Sequence, residues 1–356
     1  MSNKQVLVGM SGGVDSSYAA AILKEQGYEV VGAMLNLWTE PSQAGENRCC
    51  SLDSQYLARR VAAKLDIPFY VIDAKEEFRT VIVEQFINDY VNGLTPNPCI
   101  ACNAKLRWKL LLEQARKLGI GLIATGHYAT IKANETGDYC LYKGLDGNKD
   151  QSYVLAMLDA GYLAVTILPL GQLNKEQVRR SSKDLNLPSY AQPDSQDLCF
   201  LGEMDYRDFL KKYANEVIIP GDIVDETGEL VGKHNGLPLY TIGQRKGMRI
   251  ANNTPMFVIA KHIKSNTLIV SNSFINKPSK FSITKMNWLT SHEENATIQC
   301  TVKIRYRSKE IPATIHIKGR DSVCVELNCT VKPDITPGQI AVFYKNELCM
   351  GGGIIV

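Results

Sequence analysis

Apolar runs alternate with helix-period segments along the first half of the chain. Residues 6–10, 29–35, 69–72 and 122–124 are short continuous apolar stretches, the first followed by a helical pattern opening at Ser16. Between the later runs, Leu57, Val61, Ala62 and Leu65 recur at helical spacing, as do Leu106, Leu110, Leu111, Ala115 and Leu118. This alternation predicts an α/β fold: a doubly wound, mostly parallel sheet covered on both faces, reaching to about Phe200. After a helical piece at residues 206–213 the pattern changes to brief strands, punctuated by Pro220-Gly221-Asp222, Glu226-Thr227-Gly228 and Asn235-Gly236. The proline of Asn276-Lys277-Pro278 marks a linker, and six or so short strands follow from Phe281 to Val356, a barrel or sandwich closing near Gly351-Gly352-Gly353. The expected domains are therefore 1–203, α/β, then two small β-rich units at 204–272 and 281–356.

Composition adds limits. A chain of 356 residues with 45% hydrophobic content exceeds what one core usually serves, in keeping with two or three domains. A net charge of +3 does not by itself point to nucleic acid, so a basic surface must come from local clustering. Without a leader pattern or an apolar run near the ~20 residues that cross a bilayer, the expectation is a cytoplasmic protein with no membrane partner. Ten cysteines then read as reduced thiols with chemical or packing roles.

The candidate chemistry starts at Ser11-Gly12-Gly13-Val14-Asp15-Ser16-Ser17, between the first strand and the first helix. Glycines let backbone approach an anion, successive N–H groups form a nest, and the helix adds the positive end of its dipole. The turn lacks the Gly-Lys-Ser/Thr ending of a P-loop, and its glycines lack the GxGxxG spacing. In a doubly wound sheet it falls beyond the carboxyl ends of the strands, where ligands bind.

Two cysteines stand out. Cys102, in Thr95-Pro96-Asn97-Pro98-Cys99-Ile100-Ala101-Cys102-Asn103, precedes a helix expected from about Lys105, a position that biases a thiol toward thiolate. Cys199 lies in the polar Asp194-Ser195-Gln196-Asp197-Leu198-Cys199-Phe200. Separated thiols beside a phosphate-binding turn suggest sulfur chemistry, in which a carbonyl oxygen is activated and then displaced by sulfur. Cys49 and Cys50 read as structural, and Cys140, Cys300, Cys324, Cys329 and Cys349 as packing.

The motifs SGGVDSS, TPNPCIACN, ATGHYA, KDQSYVL, DSQDLCF, GLPLYTIGQRKG and PGQIAVFY, which span nearly the whole chain, resemble those of the tRNA-uridine 2-sulfurtransferases of the ATP-pyrophosphatase (PP-loop) superfamily. The resemblance implies ATP-dependent thiolation of the wobble uridine, with Mg and ATP as cofactors, tRNA as partner, and a persulfide donor or sulfur-relay protein; DNA is not implied. By motif, Gly9, Met10, Ser11, Gly12, Gly13, Val14, Asp15, Ser16, Leu35 and Gly126 fall on ATP-binding positions, and Asn97, Pro98 and Cys99 on the target-base segment. His127, Lys149, Asp150, Gln151, Arg305, Tyr306 and Gln339 fall on tRNA contacts. Cys199 corresponds to the persulfide carrier and Cys102 to its partner nucleophile, the pair implied to end as a disulfide.

Two residue-level readings stand beside that resemblance. Lys303, Arg305, Arg307 and Lys309 alternate with Tyr306 among them, which predicts a basic strand face suited to phosphates; Arg245, Lys246 and Arg249 form a weaker cluster. Cys99 stands where many members of the family carry aspartate, so Cys99, Cys102 and Cys199 could instead hold an iron–sulfur cluster with one open iron, or half of a zinc site.

Overall fold

The computed structural model describes residues 4–40, 52–194, 198–202, 204–248, 250, 255–272, 279–329 and 334–356. Cys49, Cys50, the Asn276-Lys277-Pro278 linker, Ser195, Gln196, Asp197 and Arg249 lie outside the described residues.

Five parallel strands form the first sheet, in the order Phe69–Asp73, Glu29–Asn36, Gln5–Gly9, Ile123–Thr125, Thr166–Ile167. Val6 and Val8 face one core with the helix Val14–Glu25, while Leu7 faces a second core with Trp108 and Leu111. A period-two strand that is apolar on both faces belongs in the centre of a covered parallel sheet. Gln5–Gly9 pairs with Glu29–Asn36 on one side and with Ile123–Thr125 on the other, so the chain order reverses between these neighbours. The turns after Gly9 and Thr125 thereby share the crevice at the carboxyl edge.

The central unit is a four-stranded sheet ordered Phe257–His262, Thr267–Ser271, Gly221–Val224, Leu230–His234. Gly221 opens a strand, so Pro220-Gly221-Asp222 is a strand start and not a turn. Among the described residues the last unit has six strands, Lys280–Trp288, Thr297–Lys303, Ile311–Ile317, Val323–Leu327, Ile340–Lys345 and Leu348–Ile355. It closes as a barrel where Trp288 pairs with Gly351 and Asn287 with Gly352.

The first domain also holds a hairpin outside its parallel sheet, and one further expectation needs correction. The antiparallel hairpin Ala129–Ala133/Tyr139–Lys143 interrupts the α/β pattern and leaves its own sheet: Tyr142 pairs with Leu348, extending the barrel into the first domain. The basic alternation does not lie on one strand face, because the strand Thr297–Lys303 ends at Lys303. There the chain turns, with the Ser308 N–H and hydroxyl both donating to the Arg305 carbonyl, at 3.0 and 2.9 Å.

Candidate active site

The helix Val14–Glu25 begins directly behind the glycine turn, and its preceding residue, Gly13, makes no side-chain cap bond. The first-turn N–H groups therefore point from an uncapped, 12-residue helix into the crevice. The turn is held from within: the Ser11 N–H donates to Ser16 Oγ at 3.0 Å, and the Ser16 and Ser17 hydroxyls donate to the Gly13 carbonyl at 3.2 and 2.8 Å. Gly12 has φ of +78°, and a Cβ there would sit 2.5 Å from the Ser54 carbonyl oxygen, so only glycine fits. Gly126 packs on the back of the turn, where a Cβ would lie 2.7 Å from the Asp15 carbonyl carbon. Met10 is buried beneath the turn, and Leu35 is half-buried near the end of the adjacent strand.

Asp15, the one carboxylate of the turn, is not idle. Lys175 Nζ lies 2.6 and 2.7 Å from its two oxygens, and the Tyr128 hydroxyl donates to it at 2.7 Å. Lys175 also pairs with Asp194 at 2.9 Å, which in turn takes Lys149 at 2.8 Å and Arg179 at 2.5 Å. Burial works against the charged Asp194 carboxylate, but hydrogen bonds from Lys149 and Lys175 win and hold it well below the usual carboxylate range. Burial together with Asp15 pushes the Tyr128 hydroxyl far above its ordinary value, so it stays a proton donor. Tyr128, Lys175, Arg179 and Asp194 were not singled out from sequence; Asp194 opens the Cys199 motif, and the Asn-x-x-Gln of Asn174 and Gln177, a capping box, announces the helix that presents Lys175.

The cysteine segment departs from expectation. The helix starts at Pro98, not near Lys105, with Asn97 Oδ1 accepting from the Ile100 N–H at 3.3 Å. Cys99 is exposed in its first turn, whereas Cys102 is buried, 5% exposed, in the core shared by the first and central units. Burial raises the Cys102 thiol above its ordinary value; the Arg107 charge and its hydrogen bond oppose this without overcoming it. The expected thiolate bias is therefore outweighed by desolvation. Half-buried Cys199 packs against the same core, and no disulfide joins it to Cys102 among the described residues. Nor do Cys99, Cys102 and Cys199 gather into a metal-holding group among those residues.

Several positions matched to tRNA contacts are internal braces. Asp150 is buried; its Oδ1 accepts from the Gly144 and Ser152 N–H groups and its Oδ2 from the Ser152 hydroxyl, each at 3.0 Å. Gln151 Oε1 accepts from the Tyr128 N–H, and Gln339 donates to the Thr95 carbonyl across the domain boundary at 2.8 Å. Arg305 donates to Thr336 Oγ1 at 2.6 Å, while the Tyr306 ring packs 5.9 Å from that of Tyr153. His127 lies against Trp108, with Nδ1 2.8 Å from Thr125 Oγ1; desolvation, then the Arg107 charge, lower its pKa to about 3. Arg307 and Lys309 are exposed. Among the described residues, no helix is long and apolar enough to cross a membrane.

Three family models match in succession: a tRNA methyl transferase HUP domain at 4–203, a tRNA methyl transferase PRC-barrel domain at 207–272 and an aminomethyltransferase beta-barrel domain at 278–355. The tRNA-specific 2-thiouridylase MnmA of Chloroflexus aggregans is 42% identical over 351 residues, covering 98% of both chains. That of Moorella thermoacetica is 44% identical over 352 residues, again covering 98% of both. Among solved structures, the U34-tRNA thiolase NcsA from Methanococcus maripaludis with its [4Fe-4S] cluster is 21% identical, at a TM-score of 0.37 over 60% of this chain and 68% of that one. Identity of this order over the full length, with an ATP-type turn at the sheet reversal, places the chain in the tRNA-specific 2-thiouridylase family of PP-loop proteins.

Proposed function

We propose that this protein uses ATP to convert the wobble uridine of tRNA to 2-thiouridine in the cytoplasm, releasing AMP and pyrophosphate. The observation that carries the reading is the uncapped glycine turn at the sheet reversal, in a chain 42% identical to a 2-thiouridylase. Methyl transfer, the chemistry in two of the family-model descriptions, does not call for a polyphosphate-binding turn. In this reading residues 1–203 activate and thiolate, while 204–272 and 281–356 hold the tRNA. Residues 9–16, Leu35 and Gly126 bind ATP, and Asp15 is suited to a Mg ion carried by the nucleotide. Mg supplies charge neutralisation on the phosphates. Asn97, Pro98 and Cys99 receive the base. His127, Lys149, Asp150, Gln151, Arg305, Tyr306 and Gln339 frame the tRNA, His127 as a neutral ring and Asp150 by bracing.

The uridine 2-oxygen attacks the α-phosphorus and pyrophosphate leaves. The terminal sulfur of a Cys199 persulfide, loaded by a donor or sulfur-relay protein, then attacks carbon 2 and AMP leaves. Cys102 attacks the Cys199 sulfur, the S–S bond to the transferred sulfur breaks, and two thiols are oxidised to a disulfide that a cellular dithiol reduces. Arg107 supports the Cys102 thiolate in this step. The test is thiolation of tRNA with ATP and a persulfide donor, read by nucleoside mass spectrometry beside pyrophosphate release. Cys199→Ser should keep tRNA-dependent pyrophosphate release and lose 2-thiouridine; Asp15→Ala should lose both. Undiminished thiolation by Cys199→Ser overturns the persulfide role, and absence of tRNA-dependent pyrophosphate release in the unaltered protein overturns the ATP reading.

A further inference from the structure

We infer that Lys175 is a phosphate-binding residue of the nucleotide site, kept in place between Asp15 and Asp194 until a polyphosphate takes it. The inference rests on the ATP reading above and adds a residue to it. Lys175 is the first residue of the helix Lys175–Asp184, whose start is fixed by the Asn174/Gln177 capping box and by Asp146, which accepts the Lys175 N–H at 3.1 Å. Its side chain is 12% exposed, and its ammonium touches both oxygens of a carboxylate in the first turn of the uncapped helix. A largely covered cation next to backbone donors that converge on an anion site adds full charge where the backbone supplies only partial charge.

The surroundings let that cation move. Three cations, Lys149, Lys175 and Arg179, converge on the single carboxylate of Asp194. If Lys175 turns to a phosphate, Lys149 and Arg179 still neutralise the half-buried Asp194, so the transfer leaves no unpaired carboxylate there. Asp15, losing its ammonium, is left to a phosphate-borne cation. A lysine that only braced the fold would not need an acid already satisfied by two other cations.

Equilibrium binding to the full chain tests this with three probes in the presence of Mg: α,β-methylene ATP, inorganic pyrophosphate and AMP. Lys175→Met should weaken the analogue and pyrophosphate roughly 10- to 100-fold while AMP binding stays within about threefold. Lys175→Arg, which keeps the charge and the fold, should recover most of the pyrophosphate affinity. Asp194→Asn, which removes a competitor for the ammonium, should bind pyrophosphate at least as tightly as the unaltered protein. Equal weakening of AMP and pyrophosphate by Lys175→Met, or loss of pyrophosphate binding by Asp194→Asn, would overturn the inference by making Lys175 a brace. If the unaltered protein binds neither analogue nor pyrophosphate, the ATP reading itself fails.

Discussion

Gly12 offers a sharp test of the glycine turn, because its neighbour Gly13 supplies the control. At Gly12 an added methyl meets two penalties: φ of +78°, and the Ser54 carbonyl oxygen 2.5 Å away. The first costs about 1–2 kcal/mol for a non-glycine residue. The second forces a backbone shift in the turn or in the helix Leu52–Lys64, of the kind that costs about 1–3 kcal/mol. At Gly13, with φ of −80°, the nearest atom is Ser11 Oγ at 3.5 Å, an ordinary contact. Gly12→Ala should relieve its strain by moving the turn, so ATP binding must restore the strained geometry. A cost of about 2 kcal/mol in that step corresponds to roughly 30-fold weaker binding of a non-cleavable ATP analogue. Gly13→Ala should stay within about threefold. Titration calorimetry on both variants, with circular dichroism to verify folding, decides it. Equal affinities for the two variants would refute the claim that the Ser54 contact and the left-handed residue shape the site.

Other consequences can be measured separately. The folded-state pKa of His127, about 3, lies below the ordinary 6.5, so the unfolded chain gains a proton first; stability should fall as pH drops from about 6.5 toward 3, and His127→Gln should flatten that fall in denaturant titrations. Identical pH slopes for both proteins would count against a desolvated neutral ring. Glu40 is fully buried, with Lys212 at 2.6 Å and the Tyr213 hydroxyl at 3.0 Å, so Glu40→Ala should destabilise by about 1–3 kcal/mol, visible in melting; an unchanged transition rejects the pairing. Arg307→Ala should weaken tRNA binding evenly across sequences and lower the salt slope by about 1, since its side chain is exposed. Arg305→Ala should also lower the melting temperature, because Arg305 bonds Thr336; a salt-slope change alone would contradict that brace.

Four strands of the first sheet were legible because continuous apolar runs between helical stripes leave a chain few other ways to bury itself; the two-residue edge strand Thr166–Ile167 is too short to leave such a run. The glycine turn was legible because its residues are contiguous. Asn97-Pro98 also carries the true helix start, as cap and first residue, seven residues ahead of the start expected near Lys105. The charge network on Asp15 was hidden: Lys175 and Asp194 are far from it in sequence, and only the fold brings them together. Alternation misled at Lys303 to Lys309, where a period-two pattern is also what an irregular turn with outward cations produces. Helix position alone misled at Cys102, because the dipole is a smaller effect than removal of the thiol from water.

The pairing of Tyr142 with Leu348 has a consequence for biosynthesis. The hairpin Ala129–Ala133/Tyr139–Lys143 is made about 200 residues before the strand that covers its edge, so during translation it presents unpaired backbone groups to whatever strand arrives first. Early ribosome-bound lengths should be prone to edge-to-edge association, and emergence of the strand Leu348–Ile355 should be followed by a slow step in which the barrel docks and seals that edge. The first domain thus completes the edge of its hairpin only once the last barrel exists, which ties the finish of one to the completion of the other.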